Sequence, residues 1–138
     1  MTAEIYDVRE GRHHGRGRTW EGVIEPGKAL LFAGLPYAVK EVEAAAPPRI
    51  TRGQPLTVSI RVRPDGAMIE ERVDHAVRAV VYGPDEREIG YLARTLHLPG
   101  GRGDFVFTPA HNAEPGRWRV HLTECVLGKQ RDLLVQVR

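Results

Sequence analysis

The run Leu56-Thr57-Val58-Ser59-Ile60-Arg61-Val62-Arg63 places an apolar side chain at every second position and a polar one between each pair. Successive side chains of an extended strand point to opposite faces, so this alternation gives one apolar and one polar face and fits no helix. Gly53-Gln54-Pro55 precedes the run and Pro64-Asp65-Gly66 follows it. Both are turn sequences, Pro because it fixes φ and Gly because it tolerates positive φ.

The same pattern returns along the chain. It predicts strands over 75–82, 88–96, 104–108, 117–125 and 132–137, with 37–44 as a first strand before the Pro47-Pro48 break. Gly83-Pro84-Asp85, the tight hairpin of Pro99 to Gly103, and Asn112 to Gly116 supply the corners. About seven strands at this spacing predict an all-β fold, an antiparallel sandwich of immunoglobulin or fibronectin type. Its core positions follow from the period of two: Val58 and Ile60; Val77, Ala79 and Val81; Phe105 and Phe107; Trp118, Val120 and Leu122; Leu133, Val135 and Val137. Arg117 and Arg119 flank Trp118. The indole therefore points away from both charges and anchors the core together with Phe105 and Phe107. Arg61, Arg63, Arg78, Arg117 and Arg119 fall on outward positions, where charge discourages edge-to-edge pairing.

Residues 1–36 read differently. Three short strands are expected, at 5–8, 19–24 and 29–35, joined by a Gly-rich loop and by Glu25-Pro26-Gly27. Strands this small make no independent core. They either pack on the sandwich or form the tail of a preceding β domain, and the sequence favours the tail, with the boundary at Leu35-Pro36-Tyr37. The division is thus 1–36, a β segment, and 37–138, the sandwich. Ile5, Leu31 and Phe32 give the segment an apolar surface that must be covered, by the sandwich or by a homodimer through these strands.

The function classes narrow by chemistry. A formal net charge of +2 with mixed signs gives no nucleic-acid footprint. Arg9, Arg12, Arg16 and Arg18, with His13 and His14, read as a solvated loop. No stretch of about 18 apolar residues is present, so membrane insertion is not expected, and the first residues lack a signal-peptide layout. One cysteine, Cys125, excludes an internal disulfide and a Cys-rich zinc site, and an end-of-strand packing role suits it better than that of a nucleophile. The His residues are dispersed: His13 and His14 diverge in an extended chain, and His75, His97, His111 and His121 lie in four segments. A metal held by His97 and His121 lacks supporting ligands. Glu70-Glu71 and Asp85-Glu86 sit in predicted loops, not across a cleft as glycosidase carboxylates do. No glycine loop leads from a strand into a helix, so no cofactor is expected. Arg102-Gly103-Asp104 spells an integrin-read tripeptide, within a sequence that a hairpin also demands.

Tyr6-Asp7-Val8-Arg9-Glu10-Gly11, Gly15, Thr19, Glu25-Pro26-Gly27 and Ala29-Leu30-Leu31-Phe32-Ala33-Gly34-Leu35-Pro36 together resemble the closing β-hairpins near the C-terminus of some large bacterial glycoside-hydrolase-like proteins. There a β-sandwich often follows, with a Pro-Gly-aromatic strand near its end, which Pro115-Gly116-Arg117-Trp118-Arg119-Val120 matches. The resemblance implies an accessory region downstream of a catalytic domain, in the periplasm or outside the cell, and carries over no catalytic residue.

The expectation is a non-catalytic structural or interaction module whose partners are neighbouring domains of its parent protein. Polysaccharide is the rival partner. Sugar-binding sandwiches expose aromatic rings that stack on pyranose faces. With Phe105, Phe107 and Trp118 turned inward, Trp20, Tyr82 and Tyr91 are the candidate contacts.

Overall fold

A computed structural model describes residues 2–66 and 73–138. In chain order the strands are β1 (Ala3–Asp7), β2 (Arg12–Gly17), β3 (Phe32–Leu35), β4 (Val39–Ala45), β5 (Arg49–Ile50), β6 (Leu56–Pro64), β7 (His75–Tyr82), β8 (Arg94–Leu98), β9 (Arg102–Phe107), β10 (Gly116–Glu124) and β11 (Gln130–Val137). They form three sheets, ordered β2-β1-β3, β4-β6-β9 and β5-β11-β10-β7-β8. All pairings are antiparallel except β5 with β11.

The second and third sheets face each other across one apolar core, and the alternation decides which side chains enter it. Leu56, Val58, Ile60 and Val62 of β6 are buried, whereas Thr57, Ser59 and Arg61 are exposed. Phe105 and Phe107 of β9 enter beside them, their ring centroids 5.3 Å apart. From the other layer come Val77, Ala79, Val81, Trp118, Val120, Leu122, Val135 and Val137, with Leu133 half-buried against the cluster. Each Val, Leu or Ile side chain so buried contributes roughly 1.5–3 kcal/mol. Trp118 is 1% exposed, and its Nε1–H donates to the Glu114 carbonyl at 2.9 Å, so the indole leaves no unpaired donor in the core.

Several elements differ from expectation. The strand expected over 88–96 is instead a single bridge at Glu88, a 3-10 turn at Gly90–Leu92 and a strand beginning at Arg94. Gly90 offers the sheet no side chain, and Leu92 turns into the core. Pro99 to Gly103 does not close a hairpin. Pro99–Gly101 forms a 3-10 turn with Gly100 at φ 59° and Gly101 at φ 77°, and it carries the chain from the edge of one sheet to the edge of the other. Arg102-Gly103-Asp104 therefore lies within β9, paired with β6, and not at a turn tip. Beyond Pro47-Pro48 the chain resumes pairing as β5. A proline lacks the N–H but keeps its carbonyl, and Pro48 O accepts the Gln136 N–H at 2.9 Å.

The N-terminal segment departs furthest. The Arg-rich stretch read as a loop forms β2, and 19–24 forms no strand. Sheet β2-β1-β3 shares no strand pairing with the other sheets among the described residues, but it does share the core: Tyr6 is fully buried and Leu35 nearly so, within the same apolar cluster. The Val39 N–H donates to Tyr6 Oη at 3.0 Å. Gly11, at φ 61°, lies so close to the 125–129 turn that a Cβ there would stand 3.1 Å from Leu127 O. The small sheet thus abuts the end of the sandwich where β7 begins and β10 finishes.

Candidate functional site

Three places gather functional groups, the first of them buried at this junction. His75 and Glu124 both fall on the inward phase of their strands, in line with Val77 and with Leu122. Tyr37 Oη lies 2.9 Å from His75 Nε2, and His75 Nδ1 lies 3.5 Å from Glu124 Oε1, an ion-pair distance that lacks hydrogen-bond geometry. The Glu124 carboxylate also accepts the Val126 and Leu127 N–H groups, each at 2.8 Å, and so caps the turn that touches the small sheet. Burial pushes the Glu124 carboxyl up, but His75 and the two amides outweigh it and hold the group below its ordinary value of 4.5. Burial likewise raises the Tyr6 phenol. The arrangement orders carboxylate, imidazole and phenol, yet its side chains are sealed from solvent and engaged in holding a turn and a strand.

The second place is the outer face of the five-stranded sheet. Arg119 lies over Tyr82, its guanidinium carbon 4.2 Å from the ring centroid, and donates to Glu86 at 2.9 Å. Asp132, directly across from His121, stands 2.6 Å from its Nδ1, while His121 Nε2 lies 3.3 Å from Thr123 Oγ1. His97 meets a different carboxylate, Asp74, at 2.9 Å. His97 and His121 thus serve separate pairs, and among the described residues no three of His, Cys, Asp or Glu gather as metal ligands. Cys125 is exposed instead of packed, and partial burial of its thiol raises its pKa, which disfavours the thiolate.

The third is a hollow of about 260 Å³ at the opposite end of the sandwich, lined by Pro84, Ile89, Ala113 and Trp118 and rimmed by Tyr91, Asp85, Arg87, Glu88 and Glu114. Tyr91 is 63% exposed. A shallower hollow of about 370 Å³ on the outer face of β4-β6-β9 is lined by Arg61, Arg102 and Asp104.

The three candidate sugar contacts are not brought together: among the described residues no ring contact joins Trp20, Tyr82 and Tyr91. Trp20 is half-buried in the small sheet's region, 4.6 Å from the Phe32 ring and 6.0 Å from His14. Tyr82 has one face under Arg119. Asp85 accepts the Arg87 N–H and Glu86 pairs with Arg119, so that acidic pair serves loop and sheet, while Glu70 and Glu71 lie outside the described residues. His75 and Glu124 went unpredicted as a pair, although the period of two already placed both indoors.

No protein-family model matches the chain, and no curated protein matches it. Among solved structures it is similar to a superoxide reductase (neelaredoxin) from Ignicoccus hospitalis, at 14% identity and TM-score 0.50, over 72% of this chain and 82% of that one. It is also similar to a CARDB domain from Pyrococcus furiosus (18%, TM-score 0.46, 71% and 86%). A β-glucosidase from Listeria innocua gives 13% and TM-score 0.45, over 70% of this chain and 16% of that one. At 14% identity the likeness to the reductase is one of fold alone.

Proposed function

We propose that this chain is a non-catalytic structural or interaction module of immunoglobulin type, belonging to a larger carbohydrate-active or cell-surface bacterial protein. The sheet orders β4-β6-β9 and β11-β10-β7-β8 support the type, since an immunoglobulin-like sandwich sets its strands in two such antiparallel layers. The observation that carries the role is the junction. Tyr6, Leu35 and the capped 125–129 turn fix the small sheet to one end of the sandwich, while Arg138 is held at the other end by backbone hydrogen bonds with Ile50 and Arg52. A module that spaces its neighbours needs such a stiff joint, because inter-domain motion is the default without a buried apolar contact. Nitrogen-15 relaxation tests this: residues 3–17 and 32–35 are expected to tumble with the sandwich as one body. Independent tumbling of the small sheet would remove the spacer role.

The second reading is a carbohydrate-binding module, and the exposed Tyr91 ring beside a hollow favours it. Affinity electrophoresis through gels holding soluble polysaccharides, with Trp20→Ala, Tyr82→Ala and Tyr91→Ala alongside, decides between the two. Retardation by one polysaccharide, lost with one of these rings, makes the chain a binding module. Unretarded migration in every gel leaves the spacer.

A further inference from the structure

The hollow beneath Tyr91 is formed by the Gly83–Ile89 and Ala113–Glu114 loops, at the end of the sandwich away from the small sheet. Pro84, Ile89, Ala113 and Trp118 give it an apolar lining. The rim carries acceptors and a donor. The Glu88 and Glu114 carboxylates have no partner among the described residues, and the Arg87 guanidinium, 88% exposed, stands 3.6 Å from Asp85. Gly116, at φ 145°, brings β10 against this wall, where a Cβ would stand 2.9 Å from the Pro84 Cβ.

Resting on the carbohydrate-binding reading, we propose that this hollow binds one neutral pyranose unit, with its ring face on Tyr91 and its hydroxyls on Glu88, Glu114 and Arg87. An aromatic face matches the C–H face of a pyranose. Each hydroxyl both donates and accepts, and this rim offers planar groups of both kinds. A phosphate would be repelled by Glu88 and Glu114, whereas a cation, drawn by three carboxylates against one guanidinium, is the rival ligand that methylguanidinium represents in the titration below. The apolar walls also suit a small organic ligand, which such sites enclose largely by apolar contact. Tyr91 thus takes the role of platform, while Tyr82 remains covered by Arg119 and Trp20 rests against Phe32.

Trp118 lines the hollow and serves as its reporter. In a Trp20→Phe variant it is the sole tryptophan, and its emission is titrated with methyl glucopyranosides, galactopyranosides, mannopyranosides and xylopyranosides. For a ligand this small the expected dissociation constant is on the order of 1 mM. The proposal expects a saturable change with at least one glycoside, weakened about tenfold or more by Tyr91→Ala and by Glu88→Gln with Glu114→Gln, at unchanged melting temperature. It is overturned by the absence of change with every glycoside, by a change that Tyr91→Ala leaves intact, or by methylguanidinium binding more tightly than all the glycosides. If it is overturned while polysaccharide gels still retard the chain, the carbohydrate reading stands and the site lies elsewhere. If the gels fail as well, both fall.

Discussion

The sandwich and the small sheet beside it bury apolar surface on very different scales. Between β4-β6-β9 and β5-β11-β10-β7-β8, every strand longer than two residues turns apolar side chains into a common core, whereas β2-β1-β3 commits chiefly Tyr6 and Leu35. Val23, Ile24 and Leu31 stay 85%, 72% and 54% exposed. The small sheet leans on the sandwich, and its hydrogen bonds are expected to open at a lower free energy than those of β7 and β10. A three-stranded sheet with one good anchor is a lodger in its neighbour's core.

The hardest blow to that comparison is Trp118→Ala. Removing a fully buried indole costs about 3–5 kcal/mol, and both regions are expected to melt together at a much lower temperature. A small sheet that kept its own transition at the original temperature would show that it does not depend on the sandwich. Next comes Glu124→Gln, expected to cost about 1–3 kcal/mol by weakening a buried acceptor of two amides and removing the charge beside His75. The folded pKa of Glu124 lies below its unfolded value, so its contribution is complete above about pH 4.5 and is lost as pH falls through the folded value. Denaturant melts between pH 7 and pH 3 should lose stability on the acid side, and Glu124→Gln should flatten part of that slope. An identical slope in the variant would remove Glu124 from the account.

A smaller and more local effect is expected from Tyr6→Phe, which leaves the Val39 N–H without its acceptor at a cost of about 1–2 kcal/mol. Hydrogen exchange should then quicken over β1–β3 and hardly change in β7 or β10. Uniform quickening would mean that the two regions unfold as one. Smallest is Arg119→Ala, whose partly exposed contacts with Glu86 and the Tyr82 ring contribute roughly 0.5–1 kcal/mol. Its melting temperature should move by only a few degrees and depend slightly less on salt than that of the unsubstituted chain, and a shift of about ten degrees or more would make Arg119 a structural anchor.

What the sequence made legible divides along the same line. Where one face of a strand is buried and the other is wet, the alternation is forced, and 75–82 was delimited to the residue, with β6, β10 and β11 within two residues at each end. In the small sheet no large buried face disciplines the pattern. Arg12–Gly17 is a strand with no apolar side chain, held by backbone pairing to β1 and by His13 stacking on Tyr6 at 4.6 Å. Thr19 to Ile24 has the composition of a strand but pairs with no strand among the described residues. The two-residue β5 was invisible because proline signals a break in donors, not in acceptors. At the sites, the three rings were picked by elimination from the core, which says nothing of their mutual placement. For His75 and Glu124 the informative property is their inward phase on β7 and β10, not their polarity.

The position of β11 has a consequence for how the chain acquires its fold. It lies between β5 and β10, so Gln136 sits beside Arg49 while the residues that will form β6 to β10 intervene. During synthesis β5 and β7 emerge long before β11, which completes their layer, and contacts so distant in sequence form slowly because the loop-closure entropy must be met first. Until Gln130–Val137 arrives, the Trp118 face of β10 has one open edge, a template for mispairing with other chains. Truncation within Gln130–Val137 should therefore show as aggregation of the nascent protein.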